Sequence, residues 1–169
     1  MSLAVVDLET TLHVRDTCLC LHVQRAARAM ARRFDDALRP TGLTNNQFSL
    51  LNALNGPQPK TPGALSALLG SDRTTLTAAI KLLARRGLAS IAADRDDGRV
   101  RWIALTVEGH ARLAAALPLW TQAHETFEAE IGDGRPARLR QDLNALTASR
   151  PIQTGVGRPP GITEGGSLP

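Results

Sequence analysis

Residues 61–106 read TPGALSALLGSDRTTLTAAIKLLARRGLASIAADRDDGRVRWIALT. Thr61, with Pro62 at the first helical position, opens a short helix through Leu65, Leu68 and Leu69, and Gly70 ends it. Ser71 or Asp72 then caps a second helix, in which Leu76, Ala79, Ile80 and Leu83 recur at the three- and four-residue spacing of one buried face. Gly87 stops it directly after Arg85 and Arg86. Two helices joined by so tight a glycine turn predict a helix-turn-helix. Residues 88–93 and 100–105 are short strand candidates around the turn Asp94-Arg95-Asp96-Asp97-Gly98, and a hairpin directly after a helix-turn-helix is a wing.

Upstream, Thr44 followed three residues later by Gln47 makes a capping box, and Phe48, Leu51 and Leu54 form the apolar face of the helix it starts. Before that, residues 15–38 place Leu19, Val23, Ala26, Met30, Phe34 and Ala37 on one face of a long first helix and Arg25, Arg28 and Arg32 on another. Downstream, Thr106 starts a long helix with the stripe Leu113, Leu117, Trp120, His124, Phe127 and Ile131, in which Pro118 predicts a kink. After a break at residues 132–136, Leu139, Leu143 and Leu146 mark a last helix. From residue 150 periodicity stops, which predicts a flexible tail.

The 169 residues suffice for one domain with extra helices for self-association. Hydrophobic residues make up 43% but aromatics only 3%, so the core must be Leu, Ala, Val and Ile, a composition that favours helices. The net charge of +4 suits an anionic partner. No run approaches the roughly 18 apolar residues of a membrane span, and the first residues carry acids where a signal peptide carries bases. The expectation is a cytoplasmic protein with no membrane contact, whose Cys18 and Cys20 are reduced thiols. No GxGxxG, P-loop or HExxH is present, and His13, His22, His110 and His124 lack ligand spacing; an enzyme, a cofactor and a metal site are not expected.

The runs GLTNNQFSLLNAL, LLGSDRTTLTAAIKLLARRGL and DRDDGRVRWIALTVEGHARL together resemble the MarR family of transcription regulators over about residues 16–149. The resemblance implies a mainly α fold with a small β-hairpin wing. It divides the chain into an N-terminal dimerisation helix (1–42), a winged helix-turn-helix DNA-binding domain (43–106), C-terminal dimerisation helices (107–149) and the tail (150–169). It also implies a homodimer whose two winged domains read a pseudo-palindrome in double-stranded DNA. On that footing the DNA-binding candidates are Arg73, Thr74, Thr75, Thr77, Ala78 and Lys81 on the recognition helix, with Arg95, Asp97 and Arg99 in the wing. Asp97 and Arg99 match the family's pair in which the aspartate braces a minor-groove arginine, and Gly98 stands where the family often has another base. A winged-helix module that binds only protein would call for an acidic or apolar recognition face.

Regulators of this family are commonly released by a small aromatic or phenolic anion, or by oxidation of a cysteine. For an anion, Arg25, Arg28 or Arg32 would meet the carboxylate near Phe34, Trp120 and Phe127. For oxidation, Cys20 takes the place of the reactive cysteine in the organic-hydroperoxide-sensing branch (OhrR), although the tyrosines that surround it there are missing here. Cys18 and Cys20 on one helix would stand roughly 200° apart, unable to bond to each other. Both thiols also suit small core residues, and the choice between sensing and structure stays open.

Overall fold

The computed structural model describes residues 5–148. The elements run α1 (Leu8–Thr17), α2 (Leu19–Leu38), a 3-10 turn (Arg39–Thr41), α3 (Asn45–Leu54), α4 (Pro62–Leu69), α5 (Arg73–Arg85), β1 (Ala89–Ala93), β2 (Arg101–Leu105), α6 (Val107–Ile131) and α7 (Arg135–Thr147). The described residues fall into two compact units that divide after Phe127, and the tail expected from residue 150 lies outside the described residues.

Local chemistry sets the helix starts as the sequence predicts. Thr44 and Gln47 make both bonds of the capping box. Thr61 Oγ1 accepts from the Ala64 amide, and Asp72, rather than Ser71, accepts from the Thr75 amide to open α5. Gly70 ends α4 with φ +61°, a conformation that favours glycine. The turn is held from one residue: Ser66 donates its hydroxyl to the Ser71 carbonyl (2.6 Å), and its own carbonyl accepts the Ser71 amide (3.2 Å).

The strands pair antiparallel with Ile91 opposite Ile103. Lys60 adds a short third rung by exchanging both backbone bonds with Ile103 (2.9 and 2.8 Å), which ties the segment before α4 to the wing. Leu38, Leu50, Leu51, Leu65, Leu83, Leu88 and Ile103 are completely enclosed, so the core lies among the helix-turn-helix, the wing base and the end of α2.

The expectation of one unbroken first helix changes. The helix expected over residues 15–38 is broken at Cys18 (ψ 99°), whose sulfur accepts the Leu21 amide to open α2, and the residues before it end a separate helix, α1, that Asp7 caps through the Thr10 amide. On α2 Phe34 and Leu38 are buried, Val23, Met30 and Ala37 are half-buried, and Leu19 and Ala26 are exposed. On α6, which continues through Pro118, the covered positions are Gly109, Leu113 and Ala116, and Leu117 lies on the exposed side. In the second unit α7 buries none of its residues, and Leu139, Leu143 and Leu146 share one exposed face.

Candidate nucleic-acid interface and adjoining cleft

Burial of Leu76, Ile80 and Leu83 decides how α5 is turned. Arg73, Thr74, Thr75, Ala78 and Lys81 are consequently exposed, and Thr77 is half-buried at the edge of that face. The three threonines are not equivalent. Thr75 is drawn to the cap, where its hydroxyl first and its amide second hold the Asp72 carboxyl below the usual carboxylate range. Thr77 donates its hydroxyl to the Arg73 carbonyl (2.7 Å), leaving the Thr74 hydroxyl without a partner among the described residues.

The wing tip is built around Asp94, which sequence reasoning did not single out. One oxygen accepts the amides of Asp96 (2.9 Å) and Asp97 (3.0 Å), and the other accepts the Trp102 indole N–H (2.6 Å). The indole bond is the main reason that the Asp94 carboxyl is lowered below its ordinary range. Asp97 accepts the backbone amide of Arg99 (2.9 Å), so its brace acts on the loop and not on the guanidinium. Arg101 donates to the Gly98 carbonyl and is occupied in shaping the turn. Arg73, Lys81, Arg95 and Arg99 make no ion pair among the described residues, which leaves four cations of α5 and the wing available to an external anion.

The aromatic residues gather elsewhere. Trp120 stacks on Phe48 (5.9 Å between ring centres) and on His124 (4.7 Å), and Phe34 lies 6.5 Å from both Trp120 and Phe127. Beside this group a cleft of about 280 Å³ is lined by Arg33, Phe34, Ala37, Leu119, Gln122, Ala123, Thr126 and Phe127. The Arg33 guanidinium lies 5.3 Å over the Phe127 ring. Arg25 and Arg28, expected beside Phe34 and Trp120, do not join them. Together with His22 and Arg32 they line a separate groove on α2, since Arg25 and Phe34 are about half a turn apart on the helix. The arginine that lines the aromatic cleft is Arg33, adjacent to Phe34 in the sequence.

The cysteines also differ from expectation. Cys18 is the cap of α2 and lies outside helical geometry, so the two thiols do not share one helix and the 200° separation does not apply. Cys20 is exposed, and its sulfur accepts from the Gln24 amide group (3.2 Å).

Comparison with known proteins adds independent findings. A family model described as MarR family matches residues 41–100. The M. tuberculosis transcriptional regulator MosR, in complex with DNA, is 39% identical over 78% of this chain and 94% of its own, with a TM-score of 0.71. The transcriptional repressor CouR, bound to a 23-mer DNA duplex, is 27% identical over 78% of this chain and 92% of its own (TM-score 0.66). The PcaV regulator of Streptomyces coelicolor shares the fold at 22% identity, covering 87% of this chain and 99% of its own (TM-score 0.72). No curated protein matches. With a winged helix-turn-helix in place and a relative of this identity spanned almost end to end, the chain belongs to the MarR family of transcription regulators and is not an enzyme.

Proposed function

We propose that the protein is a cytoplasmic homodimeric repressor that binds a pseudo-palindromic operator and is released by a small aromatic or phenolic carboxylate. The observation that carries the DNA-binding part is the exposed face of α5, followed at once by the wing, with Arg73, Lys81, Arg95 and Arg99 free of ion pairs among the described residues. Thr74 and Ala78 lie between them for base contacts, and Thr75, Thr77 and Asp97 hold the geometry. MosR and CouR held on DNA support the same reading. Dimerisation is supported by the apolar surface left uncovered on the terminal helices: Leu8, Leu12 and Val14 of α1, Leu19 of α2, and Leu139, Leu143 and Leu146 of α7.

The aromatic cleft supports the release mechanism. Its volume suits one substituted ring, its walls are Phe34 and Phe127, and the Arg33 guanidinium, already engaged within the chain, adds positive charge beside the Phe127 wall. Redox sensing is a second reading, favoured by the exposure of Cys20. Hydroperoxide would transfer its outer oxygen to the Cys20 thiolate and leave as the alcohol. A small external thiol would then displace hydroxide from the sulfenic acid to give a mixed disulfide and water.

One titration separates these. Wild type, Arg33→Ala and Cys20→Ser are loaded on operator duplex, where affinity falls steeply with salt, and challenged with a hydroxybenzoate or an organic hydroperoxide. The expected result is release by the hydroxybenzoate from wild type and Cys20→Ser, weakened about tenfold or more in Arg33→Ala through loss of the positive charge and the stacked wall at the cleft. Release by hydroperoxide that only Cys20→Ser resists would establish the redox reading instead, and no binding of the duplex by wild type would overturn the function itself.

A further inference from the structure

The bend between α2 and α3 is held by two arginines from distant parts of the chain. Arg86, the C-cap of α5, donates Nη1 to Gln47 Oε1 and Nη2 to the Gly42 carbonyl, both at 2.9 Å. Arg112, in the second turn of α6, donates Nη1 to the Thr41 carbonyl and Nη2 to Glu108 Oε1, also at 2.9 Å. Gly42 has φ +67°, and the two carbonyls presented at this bend each take one guanidinium. Gln47 is shared, since the same oxygen that receives Arg86 also accepts the Thr44 amide of the capping box (3.1 Å). A planar guanidinium that makes two bonds fixes direction as well as distance, which a flexible ammonium does not. The two forks therefore join three parts at one point: the bend where α2 enters, the end of the recognition helix α5, and the start of α6.

Neither arginine belongs to the outward face of α5 or to the wing. Arg86 caps α5 beyond its last helical residue and is half-buried, and Arg112 also pairs with Glu108 within α6. Their consequence is geometric. In the proposed dimer, the angle held at this bend would set where α5 stands relative to the helices that meet the second copy.

We propose that Arg86 and Arg112 are positioning residues for operator selection: by fixing this angle they set the separation of the two recognition helices and thereby the half-site spacing that the dimer accepts. The inference rests on the proposed dimer and its palindrome. Successive half-sites lie about 34–36 Å apart, and moving one by a single base pair also rotates it by about a tenth of a turn. A rigid bend rejects the shifted site, whereas a loosened one follows it.

The test measures the affinities of wild type, Arg86→Lys and the double variant Arg86→Gln with Arg112→Gln. The duplexes are a single half-site and palindromes at the preferred spacing and at one and two base pairs to either side, and thermal melting is followed in parallel. Wild type is expected to prefer one spacing by about tenfold or more over its neighbours. In the double variant that preference falls to about two- to threefold while single half-site affinity is retained, and Arg86→Lys lies between. A purely structural role would instead lower affinity equally at every spacing and on the half-site, which overturns the proposal. A preference that survives intact in the double variant overturns the clamp alone. A wild type indifferent to spacing overturns it together with the dimeric reading.

Discussion

Gly109→Ala is expected to destabilise the protein by about 3 kcal/mol, the upper end of the cost of forcing a methyl into a packed site, and to lower its melting temperature by roughly 6–12 °C. A Cβ at Gly109 would lie 2.0 Å from the Leu88 carbonyl oxygen and 3.0 Å from its carbon, distances no side chain tolerates against backbone. The backbone cannot easily give way. Leu88 is buried, its carbonyl accepts the Thr106 amide (3.3 Å), and Thr106 in turn bonds the Gly87 carbonyl (2.6 Å) and caps the Gly109 amide (3.0 Å). Relief requires α6 to lift away from the base of the wing. Thermal unfolding of the variant within 1 °C of wild type would show that this close approach is not maintained.

Arg99→Ala should reduce operator affinity by about a hundredfold in the dimer, as one charge-assisted phosphate or minor-groove contact worth 1–2 kcal/mol is lost from each half-site. The slope of log affinity against log salt should fall by about 1.8, close to 0.9 per phosphate lost in each of two half-sites. The substitution is a clean one in this chain. Asp97 holds residue 99 by its backbone amide and Asp94 holds the amides of Asp96 and Asp97 and the Trp102 indole, so alanine removes the guanidinium and leaves every bond of the turn in place. Melting should therefore match wild type. An unchanged affinity and salt slope would remove Arg99 from the interface.

What was legible in the sequence was local. Thr44 with Gln47, Thr61 with Pro62, Asp72 and Gly87 each act within a few residues, so their caps and stops read directly from spacing, and they deliver α3, α4, α5 and the hairpin in register. The break at Cys18 was hidden because residues 15–38 keep helical periodicity across it, and α1 was missed because its start rests on Asp7 alone. Site chemistry that depends on long-range approach was not legible. Arg33 was displaced in the reading by Arg25 and Arg28, which share its helix but face another groove. Arg86 reaches Gly42 across 44 residues and Arg112 reaches Thr41 across 71, separations that no pattern within one segment encodes. Gly109 belongs to the same class, since its need for a missing Cβ arises only where α6 meets the chain at Leu88.

The central claim, a dimer seated on a palindrome, is tested most directly by light scattering of the protein alone and then with one equivalent of operator duplex. The account predicts a free species of twice the 18.1 kDa chain mass and a complex holding two chains per duplex. A free species at 18.1 kDa that binds one chain per duplex would contradict it.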